Sequence, residues 1–191
     1  KNLSRDIFSH LTNLKELDVS SNGMENLSHD VFHDLPKLVR LSLYANNFSD
    51  VPENLFSTSV NLEVLRLYDN RQTMVLPDRF LSNLTRLKEV YLMRNNLQTV
   101  PENILWESSA VANLSLQGNS LKNISENLFR DQFNLRTLDL SYNHLAHLPD
   151  RVFKNLNKLE FLRLETIFEN NNAVSTNSPS RGGGSSSGGG G

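Results

Sequence analysis

The residues able to do chemistry are few. His29 and His33 stand four apart, flanked by Asp30 and Asp34, a set of types that can in principle hold a zinc ion. Polar residues are the default on such a segment, so it is read as solvated surface and no metal site is assigned. His144 and His147 are equally ordinary. The absence of cysteine removes a thiol nucleophile, a disulfide framework and any cysteine metal site. No Gly-rich loop suited to phosphates occurs, and no Ser/His/Asp set carries a recognisable local signature. The expectation is a protein that is not an enzyme and uses no cofactor. Recognition chemistry is better represented. Tyrosines 44, 68, 91 and 142 and arginines 40, 66 and 94 are of the types enriched at interface hot spots, with Met93 among them. Six Asn-x-Ser/Thr sequons, at Asn2, Asn26, Asn47, Asn83, Asn113 and Asn123, would accept N-glycans in a secreted chain. With 25 asparagines present, that is only a small excess over chance, and it mildly supports passage through the secretory pathway.

Charge narrows the partners. A net charge of −2 arises from 19 basic and 21 acidic residues in mixed order. A nucleic-acid binder needs clustered Lys and Arg to displace counterions, so no nucleic-acid partner is expected. No apolar run approaches the roughly 20 residues that span a bilayer, and no secretion signal opens the chain. Membrane insertion by this segment is therefore not expected.

What must position these side chains is a repeat. Apolar residues at Leu14, Leu38, Leu62, Leu87, Val111, Leu135 and Leu159 recur at intervals of 24, with a single interval of 25. Each unit reads apolar-x-x-apolar-x-apolar-x-x-Asn, as in Leu14, Leu17, Val19 and Asn22. Asparagines 22, 46, 70, 95, 119 and 143 form one column. Pro52, Pro77, Pro101 and Pro149 form a second, and Phe8, Phe32, Phe56, Leu81, Leu105, Phe129 and Phe153 a third. This is the leucine-rich-repeat pattern. In Leu41-Ser42-Leu43 the leucines face one way and Ser42 the other, as in a short strand with one buried face. The expected fold class is α/β: a right-handed leucine-rich-repeat solenoid, or horseshoe. It has a concave parallel sheet of about seven short strands, a mostly irregular convex side and uncapped ends. The column asparagines should bond backbone groups of neighbouring units as a structural ladder, since an unpaired buried amide costs about 1–3 kcal/mol. The prolines suit the convex return, where no ladder N–H is needed.

Residues 1–166 are assigned to the solenoid: a partial repeat, six repeats of 24–25 residues and a partial seventh. The pattern stops at Ile167, where asparagine is due. Residues 167–191 are assigned to a tail or linker that finishes in glycine and serine, natural or engineered.

The apolar-Pro-x-x-x-Phe returns, as in Leu148-Pro149-Asp150-Arg151-Val152-Phe153, resemble the extracellular leucine-rich repeats of animal receptors, most closely insect Toll receptor ectodomains. The stretch Leu135-Arg136-Thr137-Leu138-Asp139-Leu140-Ser141-Tyr142-Asn143 fits as well. The irregular unit Asn70-Arg71-Gln72-Thr73-Met74-Val75-Leu76-Pro77 carries its extra residue where Toll has a similar irregular repeat. The resemblance implies an extracellular location, a cystine-knot cytokine of the Spätzle type as protein ligand, and signalling by receptor dimerisation. Cysteine-rich caps, a transmembrane helix and an intracellular signalling domain are missing, so this segment alone is expected only to bind.

The third, fifth, seventh and eighth positions of each unit should face the concave side, and all four tyrosines fall there. Tyr44, Tyr68 and Tyr91 come from successive repeats and are expected side by side. Arg40, Arg66, Met93, Arg94, Asp69 and Glu89 surround them, and Tyr142 lies farther along. Two readings stand: a ligand-binding face, and a cross-strand aromatic ladder that only stabilises the sheet. A glycan on Asn113 would obstruct part of the concave face. The function expected is a non-catalytic protein-binding module of a Toll-type receptor ectodomain in innate immunity or development. The alternatives are a structural or adhesion scaffold of the extracellular matrix and an intracellular repeat scaffold.

Overall fold

The computed structural model describes residues 2–70 and 72–168. Its main element is a seven-stranded parallel sheet of three-residue strands: β2 (Glu16–Asp18), β4 (Arg40–Ser42), β5 (Val64–Arg66), β6 (Glu89–Tyr91), β7 (Asn113–Ser115), β8 (Thr137–Asp139) and β9 (Phe161–Arg163). The strands pair in sequence order, and each residue faces its equivalent one repeat on, as Leu41 faces Leu65 and Leu114 faces Leu138. A second, two-stranded sheet pairs β1 (Asn2–Leu3) with β3 (Asn26–Leu27). The sole helix among the described residues is a 3-10 turn, Arg5–Phe8. The α/β expectation is therefore met in its sheet and its irregular convex side, with almost no helix.

The repeat pattern explains the core. The fourth and sixth positions of each unit point inward, and Leu41, Leu43, Leu65, Leu67, Leu138 and Leu140 are completely buried. The convex return supplies the opposite wall, where Phe8, Phe32 and Phe56 stack with centroids 6.5 and 6.2 Å apart. In the irregular unit the ring contact passes to Phe80, 5.1 Å from Phe56 and tilted by 50°, while Leu81 holds the column position. Each return opens with a tight turn. The prolines at 52, 77, 101 and 149 accept the N–H of the residue three on, and Ser4, Ser28 and Ser125 do the same in units without proline. Three sequons follow from this: Asn2, Asn26 and Asn123 share one column, two residues before the serine that starts the turn. They recur because the repeat recurs.

The asparagine ladder has a fixed wiring. Asn119 Oδ1 accepts the backbone N–H of Asn95 and of Leu97, both at 3.0 Å, and its Nδ2 donates to the carbonyls of Leu92 and Leu116. One amide thus satisfies turn groups in two units. Asn46, Asn95 and Asn143 repeat most of this pattern and are buried. Asn22, in the first full unit, is exposed and bonds only its own unit through Nδ2. Beyond the last column asparagine, Ile167 is buried instead of marking an end. Its carbonyl accepts the Leu145 N–H, and Phe168 bridges Leu145. Solenoid packing therefore continues to Phe168, two residues past the expected boundary; residues 169–191, which hold the Gly/Ser tail, lie outside the described residues. Apolar side chains are exposed at both ends of the stack, among them Ile7, Leu11, Phe161 and Leu162.

Candidate functional site

The concave face is built from outward positions of the strands and the two residues after them. The seventh positions form the row Tyr44, Tyr68, Met93, Gln117; the fifth form Ser42, Arg66, Tyr91, Ser115. Tyr44 and Tyr68 are stacked, with ring centroids 4.7 Å apart and planes 2° from parallel. Tyr91 does not join this stack. It lies in the neighbouring row, in register with Arg66, and its hydroxyl donates to Glu89 Oε2 at 2.9 Å. Met93, not Tyr91, continues the row begun by the tyrosine pair. The three-ring ladder anticipated from successive repeats is thus a pair plus an offset ring, because Tyr91 occupies a fifth position and the other two a seventh. Tyr142 is half exposed, and its hydroxyl donates to Glu165 at the far end of the sheet. It stands apart from the others.

The eighth position is a turn, not strand. Ser21, Ala45, Asp69, Arg94, Gly118, Tyr142 and Thr166 all have φ between 49° and 64°. In the first six of these, the N–H donates to the seventh-position carbonyl of the next unit, as Ala45 to Tyr68 and Gly118 to Ser141. Arg94 stands on such a turn, exposed, with Nη1 3.7 Å from Asp69. This turn column was missed in the sequence, since its seven residues share no side-chain type.

Electrostatics distinguish the two halves of the face. Arg40 and Arg66 make no ion pair among the described residues; Arg66 lies next to Tyr68, while Arg40 lies farther along the strand, in register with Glu16 and near Glu63. Burial, then the neighbouring Tyr44, pushes the Tyr68 phenol above its ordinary range, against the pull of Arg66. Burial and the hydrogen bond to Glu89 do the same for Tyr91. The Tyr142 phenol is raised by its bond to Glu165. Toward the other end the face is polar and paired: Asp139 lies 3.9 Å from Arg163 and accepts the Ser141 N–H. At the near end Ser20 holds the Asp18 carboxyl below the usual carboxylate range.

The other candidates lie elsewhere. His29 and His33 line a convex hollow with Arg5 and Asp30, and Asp30 is engaged by Ser28 at 2.6 Å and Arg5 at 3.0 Å. Among the described residues no group of three or more His, Asp or Glu side chains is placed to share a metal ion. Asn26, Asn83 and Asn123 are exposed on turns and edges, Asn47 is half-buried beside Gln72, and Asn113 is half-buried on β7. No helix among the described residues is long and apolar enough to cross a membrane.

A family model described as Leucine rich repeat matches residues 1–48, 60–121 and 109–166. No curated protein matches the sequence. Among solved structures, a chain of the Drosophila Toll–Spätzle complex is similar at 38% identity and TM-score 0.83, covering 86% of this chain and 22% of that chain. A chain of the TLR13–ssRNA13 complex gives 27% identity and TM-score 0.81 over 87% of this chain and 23% of that one. A leucine-rich-repeat protein of Leptospira interrogans gives 29% and 0.76 over 86% and 40%. The chain therefore spans less than a quarter of the first two of these chains and 40% of the third.

Proposed function

The chain belongs to the leucine-rich-repeat family and is of the Toll-ectodomain type, and on that premise we propose that it is the ligand-recognising part of a cell-surface receptor in innate immunity or development. It is a non-catalytic protein-binding module. Its ligand is a cystine-knot cytokine of the Spätzle type, its setting is extracellular, and the complete receptor signals by dimerising. The observation that carries this reading is the Tyr44–Tyr68 stack, flanked by Met93 and by Arg66, which makes no ion pair among the described residues, on a sheet whose fold matches Toll. Large flat rings supply contact area at little entropic cost, and free guanidinium groups select carboxylates on a partner. The competing reading, a matrix scaffold, treats the same rings as internal stabilisation only.

The test is titration of the chain with a cystine-knot cytokine dimer. Arg66→Ala leaves the ring stack intact and is expected to weaken binding by about thirtyfold, the equivalent of about 2 kcal/mol at a hot spot. Unchanged affinity in Arg66→Ala and Met93→Ala would remove the concave site. A parallel titration with single-stranded RNA is expected to show no saturable binding, because acidic and basic side chains alternate over the face. Tight RNA binding that weakens steeply with salt would overturn the protein-ligand reading.

A further inference from the structure

The sequon Asn113-Leu114-Ser115 lies in β7 with Asn113 and Ser115 both turned to the concave face. Asn113 is in register with Glu89 and Ser115 with Tyr91. Tyr91 leans back toward Glu89, to which it is hydrogen-bonded, and so toward the strand position opposite Asn113. Tyr91, Met93, Asn113, Ser115, Gln117 and Asp139 line a single open hollow, which Arg163 closes on the far side. An aromatic face beside planar amide, carboxylate and guanidinium groups is the chemistry that holds a sugar: the ring takes the sugar's C–H face, and the polar groups take its hydroxyls. Asn83 also shares a hollow with aromatic residues, but its Phe56 and Phe80 are buried, whereas Tyr91 beside Asn113 is partly exposed.

We propose that an N-linked glycan on Asn113 seats its first sugar on Tyr91 in this hollow, which withdraws Tyr91 from ligand contact and leaves the Tyr44–Tyr68 pair as the open aromatic surface. The inference rests on the extracellular part of the reading above and not on the identity of the ligand. The glycan is attached before the strand forms, and the folded sheet then brings sugar and ring together.

The full chain secreted from a glycosylating cell line is compared with Asn113→Gln and Ser115→Ala, both of which abolish the sequon by different atoms. Glycopeptide mass spectrometry reads occupancy of Asn113, and tetranitromethane reads accessibility of each tyrosine. The expected result is occupied Asn113, with nitration of Tyr91 several-fold slower in the glycosylated chain than in both variants. Tyr68 nitration is expected to be equal in all three, which also shows that the variants are folded. An unoccupied Asn113, or equal Tyr91 rates with and without glycan, would overturn the proposal. Neither outcome bears on the Arg66→Ala titration, so failure here is distinguishable from failure of the receptor reading.

Discussion

At the scale of single residues, most of the structural work falls to the asparagine column. Replacing Asn95 by leucine strands the buried Leu67 carbonyl and Asn70 N–H, leaves the Leu92 carbonyl to Asn119 Nδ2 alone, and should cost about 3 kcal/mol. Asn22→Leu, at an exposed position with bonds only inside its own unit, should cost at most about 1 kcal/mol. Urea unfolding of the two variants decides; equal losses would mean that the amide does not bridge units. Asn96, the neighbour of Asn95, is engaged too. Its φ is 50°, its Nδ2 donates to Thr73 and its Oδ1 accepts from Ser120, so a leucine there is strained as well. The tyrosines give a second expectation. Because folding raises the phenol pKa of Tyr68 and Tyr91 above the ordinary value of about 10, their contribution is complete below that value. It is lost as pH climbs through the higher folded value. Phenolate absorbance should show a late-titrating component that shrinks in Tyr91→Phe; titration of all tyrosines together near the ordinary value would contradict it. The asparagine column was legible in the sequence because one side chain alone makes its bonds. The separation of Tyr91 from Tyr68 was legible only as a two-residue offset in repeat register, easily lost when three tyrosines come from successive units.

At the scale of the element, the strand-to-turn step shows what the pattern concealed. The eighth position adopts a left-handed backbone in every unit, whatever its side chain. In the first six units the cause lies outside the residue: its N–H is held by the next unit and the following asparagine amide closes the turn, so the backbone is over-determined. A left-handed L-residue costs about 1–2 kcal/mol, and glycine escapes that cost. Gly118→Ala should therefore destabilise by about 1 kcal/mol, with its new Cβ also 3.2 Å from the flexible Arg94 Cγ. Ala45→Gly should be neutral or stabilising, since relief of strain offsets the freedom added to the unfolded chain. Thermal unfolding of the pair checks the sign; destabilisation by both would show that the turn carries no strain. Period and strand placement came straight from the leucines, because burial on one face leaves no other register. The turn conformation could not, because hydrogen bonds to the next unit impose it on serine, alanine, aspartate and arginine alike.

At the scale of the whole molecule, a solenoid's stability is close to a sum over its joints, so the weakest joint decides whether it melts as one body. The structure points to the joint between the units of Asn46 and Asn70. Asn70 Oδ1 reaches the Phe48 N–H only at 3.4 Å, its Nδ2 reaches the Tyr68 carbonyl at 3.4 Å, and no bond runs back to the Leu43 carbonyl. The inserted residue of the irregular unit follows directly and accounts for the looser rung. Two features strengthen the same joint: the Val75 N–H bonds the Ser49 carbonyl, and the Tyr44–Tyr68 stack spans it. An offset aromatic pair contributes about 0.5–1.5 kcal/mol beyond its buried area, enough to replace the missing amide bond. The tyrosine pair thus has a structural role whether or not a ligand meets it. Tyr68→Ala should lower stability by about 1 kcal/mol and broaden or split the melting transition, while Tyr68→Phe keeps the stack and melts as the parent does. Tyr91→Ala, across a joint whose Asn95 rung is intact, should leave a single sharp transition. Native-state hydrogen exchange locates the break: in Tyr68→Ala, protection should fall first at the Leu43 and Ala45 amides, which donate to Arg66 and Tyr68 across that joint. Uniform loss of protection along the chain, or equal broadening in Tyr91→Ala, would show that the joints are equivalent and that the stack carries no special load.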